Sequence, residues 1–266
     1  MRLAIADRIR RIQQPLHEDA SNALISPIVQ KLRHGVQLTS ADEAILSNLS
    51  MTVRRIERGD IQREGIEPQS VILIFEGWAC RYKQLENGKR QITTVYVSGD
   101  LCEPFGAVPP FLDHSLAALT ACTLGFVAPS SMRAAAQASQ RIEQALWWDL
   151  MLSQVLGREH VVSLGRRSAM ERLGFFFCEM HARLAKVGLV VDGSFDLPLT
   201  QIDLADLFGL SAVHVNRSLQ DLRGSGLLSF RGRRVTMHDL PSLRSVAMFD
   251  PVWFEPMKQS FPQARQ

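Results

Sequence analysis

One stretch of forty residues, Leu199 to His238, constrains this chain more than any other, and it reads LTQIDLADLFGLSAVHVNRSLQDLRGSGLLSFRGRRVTMH. Thr200 can cap a helix, because its hydroxyl accepts a hydrogen bond from a backbone amide, and Asp203 completes an approximate capping box. Gly209 ends that helix, and Ser211 can cap a second helix directly afterwards. The spacing therefore predicts two short helices joined by a glycine-containing turn.

The apolar spacing within each helix predicts which side is buried. On the first helix the apolar side consists of Ile202, Leu204, Ala205 and Phe208. On the second helix the apolar residues recur at intervals of four and three, at Val215, Leu219 and Leu222. By subtraction, the side chains of the second helix that point wholly or partly outward are Val213, His214, Asn216, Arg217 and Gln220.

A basic hairpin is predicted after the second helix. The β-prone runs Leu227–Phe230 and Arg234–Met237 flank the tip Arg231-Gly232-Arg233. From Ser211 to His238 the net charge is +4, because this stretch contains five arginines and one acid, Asp221. The arginines are Arg217, Arg223, Arg231, Arg233 and Arg234. Two helices with a glycine turn describe a helix-turn-helix, whose second helix can enter a major groove, and positive charge suits a surface that lies against phosphate.

The segment DLADLFGLSAVHVNRSLQDLRGSGLL resembles the winged helix-turn-helix of the Crp–Fnr superfamily of bacterial transcription regulators. The resemblance implies that bases are read by Ala212, Val213, Asn216 and Arg217. It implies DNA backbone contacts for the cap and wing residues and for one helix residue, namely Thr200, Ser211, His214, Arg231, Arg233 and Arg234. Arg217 matches a family arginine that contacts guanine, a pairing that its five-donor fork suits. Val213 stands where glutamate is common in the family, which leaves the preferred half-site open.

The chain from about Thr52 to Phe126 has a β texture. Gly77, Gly88 and Gly99 lie eleven residues apart, a spacing typical of successive hairpins, and Asn87-Gly88 is a strong hairpin turn. VILIF at 71–75 predicts a buried strand, and WACRYKQL alternates, with Trp78, Cys80 and Tyr82 on one side. The segment EGWACRYKQLENGKRQITTVYVSGDL is similar to the cyclic-nucleotide-binding-type β-roll that forms the sensor half of the same superfamily.

The resemblance also allows a test for an effector site. Relatives that bind a cyclic nucleotide carry a Gly-Glu pair for the ribose and an Arg-Ser pair for the phosphate. Here the loop is GDLCEPFGAVPPFLDHSLAAL, with His114-Ser115 in place of Arg-Ser and Glu103 displaced by one position. Because a mostly neutral histidine replaces a bidentate arginine poorly, we expect no tight cyclic AMP binding. Glu103, His114 and Ser115 remain candidates for an unknown small-molecule effector, although a lone loop histidine is more often a hydrogen-bonding residue.

A long helix is predicted from about Gln140 to Leu164. It has two apolar sides: Ile142, Leu146, Leu150 and Leu156 form one, while Trp147, Met151, Val155 and Val162 form the other. The resemblance implies that one side packs on the roll of its own subunit and that the other pairs with the same helix of a second subunit. The alternative is a helix buried wholly within one domain. Gly165, Arg166 and Arg167 interrupt the pattern and predict a hinge.

These observations predict an α+β fold with an N-terminal antiparallel β-roll (a double-stranded β-helix), a long dimerisation helix and a C-terminal winged helix-turn-helix. The expected division is an arm at 1–25, the roll at 26–137, the dimerisation helix and hinge at 138–167, the DNA-binding domain at 168–240 and a tail at 241–266. Pro27 is expected to open a helix that runs through Leu32. We expect at least the first half of the tail to pack on a domain surface, because it is too apolar for a free tail. Its apolar residues are Leu243, Val246, Phe249, Trp253 and Phe254.

Composition excludes several classes of protein. With 266 residues, 46% hydrophobic and 21% charged, the chain has room for two globular domains, and its net charge of +3 makes the basic character local. No apolar run has the length of a membrane span, and the start MRLAIADRIRRIQQ lacks a signal core, so we expect a cytoplasmic protein without a membrane partner.

The cysteines predict neither a disulfide framework nor a metal cofactor. Cys80, Cys102, Cys122 and Cys178 are scattered without a C-x-x-C pair, and their apolar contexts favour packing. Some relatives hold an iron–sulfur cluster through cysteines near the N-terminus, but this chain has none before Cys80. We therefore expect no cofactor.

The expected function is that of a transcription regulator and not an enzyme. Its partners would be an inverted-repeat operator in double-stranded DNA, a second copy of the chain and RNA polymerase. One alternative is a metal-dependent cupin-type enzyme, which needs closely spaced histidines that this sequence does not show. Another is a winged-helix module that binds protein in place of DNA.

Overall fold

The structure, a computed structural model, describes residues 18–102 and 111–255, with side chains from residue 24 onward. Most of the expected N-terminal arm and the candidate Glu103 lie outside these residues. The described helices are α1 (Glu18–Gly35), α2 (Ser40–Ser47), α3 (Pro129–Ala138), α4 (Gln140–Arg166), α5 (Ala169–Lys186), α6 (Gln201–Phe208), α7 (Ala212–Gly224) and α8 (Leu240–Ala247), followed by a 3-10 turn at Pro251–Phe254. None of the helices in these ranges combines the length and the apolar character needed to cross a membrane.

The described strands are β1 (Met51–Ile56), β2 (Gly59–Gln62), β3 (Val71–Glu76), β4 (Ala79–Gln84), β5 (Arg90–Tyr96), β6 (Leu101–Cys102), β7 (Ser115–Ala118), β8 (Cys122–Val127), β9 (Ser194–Asp196), β10 (Leu228–Arg231) and β11 (Arg234–Met237). Two antiparallel sheets form the N-terminal roll. Their orders are β1-β8-β3-β6 and β2-β7-β4-β5. Their facing sides share one apolar core, which includes Ile72, Ile74, Ala79, Leu116, Ala118 and Leu124. The predicted α+β fold is confirmed.

Helices cover the outer side of the first sheet. Val71, Leu73 and Phe75 of β3 share a core with Leu32 of α1 and Leu146 of α4. Because β3 is covered on both faces, all five residues of VILIF are buried, as the unbroken apolar run predicts.

The C-terminal half covers the outer side of the second sheet. Trp78, Cys80 and Tyr82 lie in one apolar core with Phe176 of α5 and Phe208 of α6. The predicted alternation of this strand is therefore confirmed, and the buried side chains face the winged helix-turn-helix.

The glycine turns form as the spacing predicts. Gly77, Gly88 and Gly99 have φ values of +89°, +81° and +93°, in the left-handed region that favours glycine. A Cβ atom at Gly77 would also lie 2.4 Å from the carbonyl oxygen of Ala121, so this turn needs glycine for space as well. Asn87-Gly88 joins β4 to β5 in register, with Gln84 opposite Arg90.

Two expectations about the helices are wrong. Pro27 does not open a helix but lies inside α1, which also crosses the expected arm boundary at residue 25. Proline removes one backbone donor, and burial of Ile25, Ile28 and Leu32 offsets that loss. Ile202 is 65% exposed, and Leu207 takes its place on the buried side of α6.

The long helix α4 ends at Arg166, so Gly165 and Arg166 of the predicted hinge belong to the helix. Arg167 follows it and is buried, with its guanidinium 2.7 Å from Glu159 Oε2 and 4.1 Å from the centre of the Phe175 ring. Val155, assigned to the outward apolar side, is buried within this subunit. Further along the chain, α8 packs on α5, and the Phe249 ring lies 5.0 Å from that of Phe175.

Candidate nucleic-acid interface

The second helix of the motif, α7, exposes the predicted reading face. Ser211 caps the helix, since its hydroxyl accepts a hydrogen bond from the His214 amide at 3.2 Å. The predicted stripe of Val215, Leu219 and Leu222 is buried, and Ser218 is buried with it. On the opposite side Val213, His214, Asn216 and Arg217 are exposed, and Ala212 is half-buried. Val213 is 79% exposed.

The wing is a hairpin of β10 and β11, with Arg231 opposite Arg234. Its two turn residues, Gly232 and Arg233, have φ values of +56° and +66°, as a type I′ turn requires. Arg231, Arg233 and Arg234 are all exposed. Arg234 is engaged within the protein, because its Nη1 atom lies 3.0 Å from Asp196 Oδ1 on the neighbouring strand β9. Arg231 and Arg233 form no ion pair with the residues that the structure describes, and they present positive charge at the tip.

The first helix, α6, begins at the predicted cap. The Thr200 hydroxyl accepts from the Asp203 amide at 3.1 Å and donates to Asp203 Oδ2 at 2.7 Å, while the Thr200 amide donates to the same oxygen at 3.0 Å. Gly209 ends the helix with φ of +63°. The hydroxyl of the half-buried Thr200 is thus engaged in the cap, and its backbone carbonyl accepts from the Leu204 amide at 3.0 Å.

Two arginines of the roll bind α6. Arg58 Nη2 lies 2.7 Å from Asp203 Oδ1, and Arg90 Nη2 lies 3.2 Å from the same oxygen. Arg90 Nε also lies 2.8 Å from Asp206 Oδ2. Burial alone would raise the pKa of Asp203, but hydrogen bonds from Thr200 and Arg58 outweigh it and hold that pKa below its usual value. Asp203 is therefore a carboxylate at neutral pH, and it ties the helix to the roll.

Comparison with known proteins decides the family. Residues 171–246, which span α5 to α8, match the family described as the Crp-like helix-turn-helix domain. The chain is 29% identical over 178 residues to the nitrogen fixation regulation protein FixK of Azorhizobium caulinodans, an alignment that covers 66% of this chain and 71% of that protein. It is 25% identical over 208 residues to the fumarate and nitrate reduction regulatory protein of Escherichia coli K12, covering 76% and 81%.

A solved structure agrees over both halves of the molecule. FixK2 from Bradyrhizobium japonicum is 28% identical, with a TM-score of 0.66, and the match covers 74% of this chain and 98% of that chain. The chain belongs to the Crp–Fnr superfamily of transcription regulators. As a Crp–Fnr regulator it carries a DNA-binding helix-turn-helix on a cyclic-nucleotide-binding-like roll.

The candidate effector residues of this Crp–Fnr roll are already engaged. His114 is buried, and its Nδ1 atom lies 2.6 Å from Asp113 Oδ1. That hydrogen bond lowers the pKa of Asp113. Ser115 is buried too, and its hydroxyl accepts from the Glu64 amide at 3.0 Å. The structure places His114 and Ser115 side by side, while Glu103 lies outside the described residues.

The long helix of this Crp–Fnr regulator has an exposed apolar stripe. Trp147, Met151 and Val162 are 50%, 55% and 44% exposed, and Val161 is 68% exposed. The buried side of the same helix, at Ile142 and Leu146, belongs to the core under the roll. One subunit therefore buries one side of α4 and leaves much of the other side exposed to solvent.

The four cysteines pack as the sequence predicts, since each is buried. Burial raises the pKa of the Cys80 and Cys178 thiols to about 12, which disfavours the reactive thiolate. Within residues 18–102 and 111–255, histidine, cysteine, aspartate and glutamate form no group of three or more that could hold a metal ion.

Sequence reasoning missed the contacts that hold the motif on the roll. Arg58 and Arg90 carried no local signal, because their partners on α6 lie 145 and 116 residues further along the chain. Asp196 was missed because the three-residue strand β9 is too short to show an alternating pattern.

Proposed function

We propose that this regulator binds an inverted-repeat operator as a homodimer, with α7 of each subunit in a major groove. The observation that carries the proposal is the separation of the two sides of α7. Its apolar stripe is buried, and its polar side, with Asn216 and Arg217, is exposed. A helix presented in this way can lay its side chains on base edges.

The exposed residues have chemistry that suits different bases. Arg217 can donate two parallel hydrogen bonds to guanine, and Asn216 can pair with adenine. Val213, with Ala212 beside it, offers an apolar contact that suits the methyl group of thymine. We therefore assign base reading to these four residues.

Contacts with the DNA backbone fall to the cap and the wing. Ser211 and His214 lie at the start of α7, where backbone amides favour phosphate. Arg231 and Arg233 supply charge from the wing tip. Thr200 and Arg234 are assigned weaker roles, since Thr200 is committed to Asp203 and Arg234 to Asp196.

The dimer is supported by the exposed apolar stripe of α4. Trp147, Met151 and Val162 recur at helical spacing and would pair with the same residues of a second subunit. Two-fold symmetry then places the two α7 helices about one turn of DNA apart. RNA polymerase follows as a further partner of a regulator bound at a promoter, and chromosomal DNA as the target places the site of action in the cytoplasm.

We assign a sensor roll to residues 26–137, a dimerisation helix and hinge to 138–167, and a DNA-binding domain to 168–240. The tail from 241 supports the last of these. We infer that the roll does not bind cyclic AMP tightly, because His114 is held by Asp113 and no arginine stands at that position. Micromolar affinity for cyclic AMP by calorimetry would contradict this inference.

Selection from a random pool of duplexes tests the operator. The full chain should enrich two half-sites in inverted repeat whose centres lie about one helical turn, roughly 10 base pairs, apart. Sedimentation of the complex should give two chains per duplex. Loss of the dimer in Met151→Glu, with the fold retained, would support the assigned interface, whereas a pool without any enriched motif would contradict operator binding.

A further inference from the structure

A cavity of about 80 Å³ lies where the roll meets α4 and α5, away from the reading helix. Its wall is formed by β5 and the turn after it, by one side of α4 and by α5, with Lys31 of α1 and Phe254 of the 3-10 turn closing it. His114 and Ser115 are not among the residues that line it. The cavity therefore does not include these two candidate effector residues of the roll.

Six charged residues line this cavity: Lys31, Arg183 and Lys186, and Asp100, Asp149 and Glu179. Lys31 pairs with Asp149 and lies 2.8 Å from Asp100 Oδ1. Arg183 lies 2.5 Å from Asp100 Oδ2 and 2.8 Å from Glu179 Oε1. Each of the three acids is thus within ion-pair distance of Lys31 or Arg183, and among the described residues none of them pairs with Lys186.

Lys186 is the base that remains. Its Nζ atom is shielded from solvent and has no hydrogen-bond partner among the described residues. It lies 5.3 Å from the centre of the Trp148 ring and 5.5 Å from that of Phe254. Burial and the neighbouring charge of Lys31 lower the pKa of Lys186 to about 8. Ring faces attract a cation but do not neutralise it, so an ammonium group here lacks a counter-ion.

The rest of the wall is mostly apolar. Leu152 and Leu156 of α4, Phe176 of α5 and Leu207 of α6 line it. Small polar side chains also line it, namely Thr93, Thr94, Ser98 and Ser153. His160 Nε2 is buried there without a hydrogen-bond partner among the described residues. The volume is about half that of a cavity of about 150 Å³ that accommodates benzene, which limits a ligand to a short chain.

We propose that this cavity binds a short-chain monocarboxylate, with its carboxylate on Lys186 Nζ and its apolar chain against Leu152, Leu156 and Phe176. Such a ligand supplies the missing counter-ion and fills the apolar space with one small molecule. The wall draws on the roll, α4 and α5 together. A bound carboxylate would therefore favour the arrangement of the two halves seen here over any arrangement that separates them.

Gly157 offers a way to block the cavity. It lines the wall, and a Cβ atom built on it meets no atom within 4 Å. In Gly157→Leu the new side chain should occupy the space intended for the ligand. Gly165 lies on the same helix outside the cavity and also has open space around its Cβ position, so Gly165→Leu is the matched control.

Calorimetry at pH 7 with sodium butyrate as the probe tests the proposal on the full chain without DNA. Butyrate should bind saturably, and butyramide, which has the same shape without the charge, should bind at least tenfold more weakly. Lys186→Met and Gly157→Leu should each weaken butyrate binding at least tenfold, while Lys186→Arg and Gly165→Leu should stay within a few-fold of the natural protein.

Absence of butyrate binding, or equal affinity for the amide, would overturn the proposal. Both results come from the unsubstituted protein, so they stand even if a variant fails to fold. Equal butyrate affinity in Lys186→Met or Gly157→Leu would overturn the assigned position. Since DNA takes no part in this measurement, its failure is distinct from a failure of operator binding.

Discussion

The two helices of the helix-turn-helix differ in what their polar side chains contact. On α6, Asp203 and Asp206 bind Arg58 and Arg90 of the roll, and Asp203 is fully buried. On α7, Asn216 and Arg217 face solvent. A charged residue in this motif is thus not by itself a sign of DNA contact. Those on α6 position the motif on the sensor, and those on α7 are left for a partner outside the chain.

The largest effect is expected where α6 meets the roll. Asp203→Ala removes the cap partner of Thr200 and leaves Arg58 and Arg90 without that carboxylate. We expect the free energy of unfolding to fall by about 3 kcal/mol, measured by urea denaturation. Asp206→Ala is the control, because it removes one partly exposed pair and should cost about 1 kcal/mol or less. An equal loss in both variants would show that burial of Asp203 adds nothing.

The same contact should give a defined acid dependence. The pKa of Asp203 is lowered in the folded protein. Its contribution is therefore fully present above the unfolded pKa of about 3.9 and is lost as the pH falls through the lower, folded value. The stability difference between the natural protein and Asp203→Asn should shrink over that interval. A difference that stays constant with pH would assign the effect to packing.

On the reading helix, Arg217→Ala should weaken binding to the selected operator by about 1–3 kcal/mol and relax preference at one base pair. Because Arg217 is exposed, the free energy of unfolding should not change. Arg133→Ala, an exposed arginine on α3, is the control for the loss of one positive charge. If Arg217→Ala matches the natural protein on its best site by fluorescence anisotropy, the assignment of α7 to the groove is wrong.

A smaller change is expected from Val213→Glu. The side chain is 79% exposed, so stability should hold. A carboxylate accepts from the amino group of cytosine, whereas valine suits the thymine methyl. The preferred base at one position should therefore shift from thymine to cytosine, with a change in relative binding free energy of about 1 kcal/mol. Repeating the duplex selection with the variant measures this change. An identical selected site would remove Val213 from the set of reading residues.

The smallest effect is expected at the wing tip. Arg233 has φ of +66°, which glycine adopts without strain, so Arg233→Gly keeps the turn and removes only the charge. Affinity should fall by a similar factor on all sequences, and the slope of log affinity against log salt should lessen by about one. A loss confined to one operator sequence would assign base reading to Arg233.

Local signals in the sequence were sufficient for much of the fold. Thr200 and Gly209 mark the start and the end of α6, and Asn87-Gly88 forms the β4–β5 turn, because caps and turns depend on a few neighbouring residues. Ile202 and Pro27 show the limit of this reasoning. Ile202 satisfied the apolar period but is exposed, and Pro27 satisfied a start signal but lies inside a helix. In both cases contacts from elsewhere in the chain decided the outcome.

For the candidate site, the sequence predicted which residues of α7 face outward, since a period of 3.6 residues determines both sides of a helix once one is buried. The sequence could not predict which polar side chains of the site already have a partner within the protein. Arg234 is paired with Asp196 on β9, a strand that the sequence pattern did not predict, and the Thr200 hydroxyl donates to Asp203.

The sequence by itself determined the order of roll, long helix and winged helix-turn-helix, together with the face of α7 that reaches outward, because these follow from caps, turns and apolar periods that act within a few residues. Only the tertiary structure decided that Arg58 and Arg90 anchor α6, and that Lys186 Nζ is shielded from solvent with no hydrogen-bond partner among the described residues. Charges find partners by proximity in space, and Arg58 and Asp203 are brought together across 145 residues of chain.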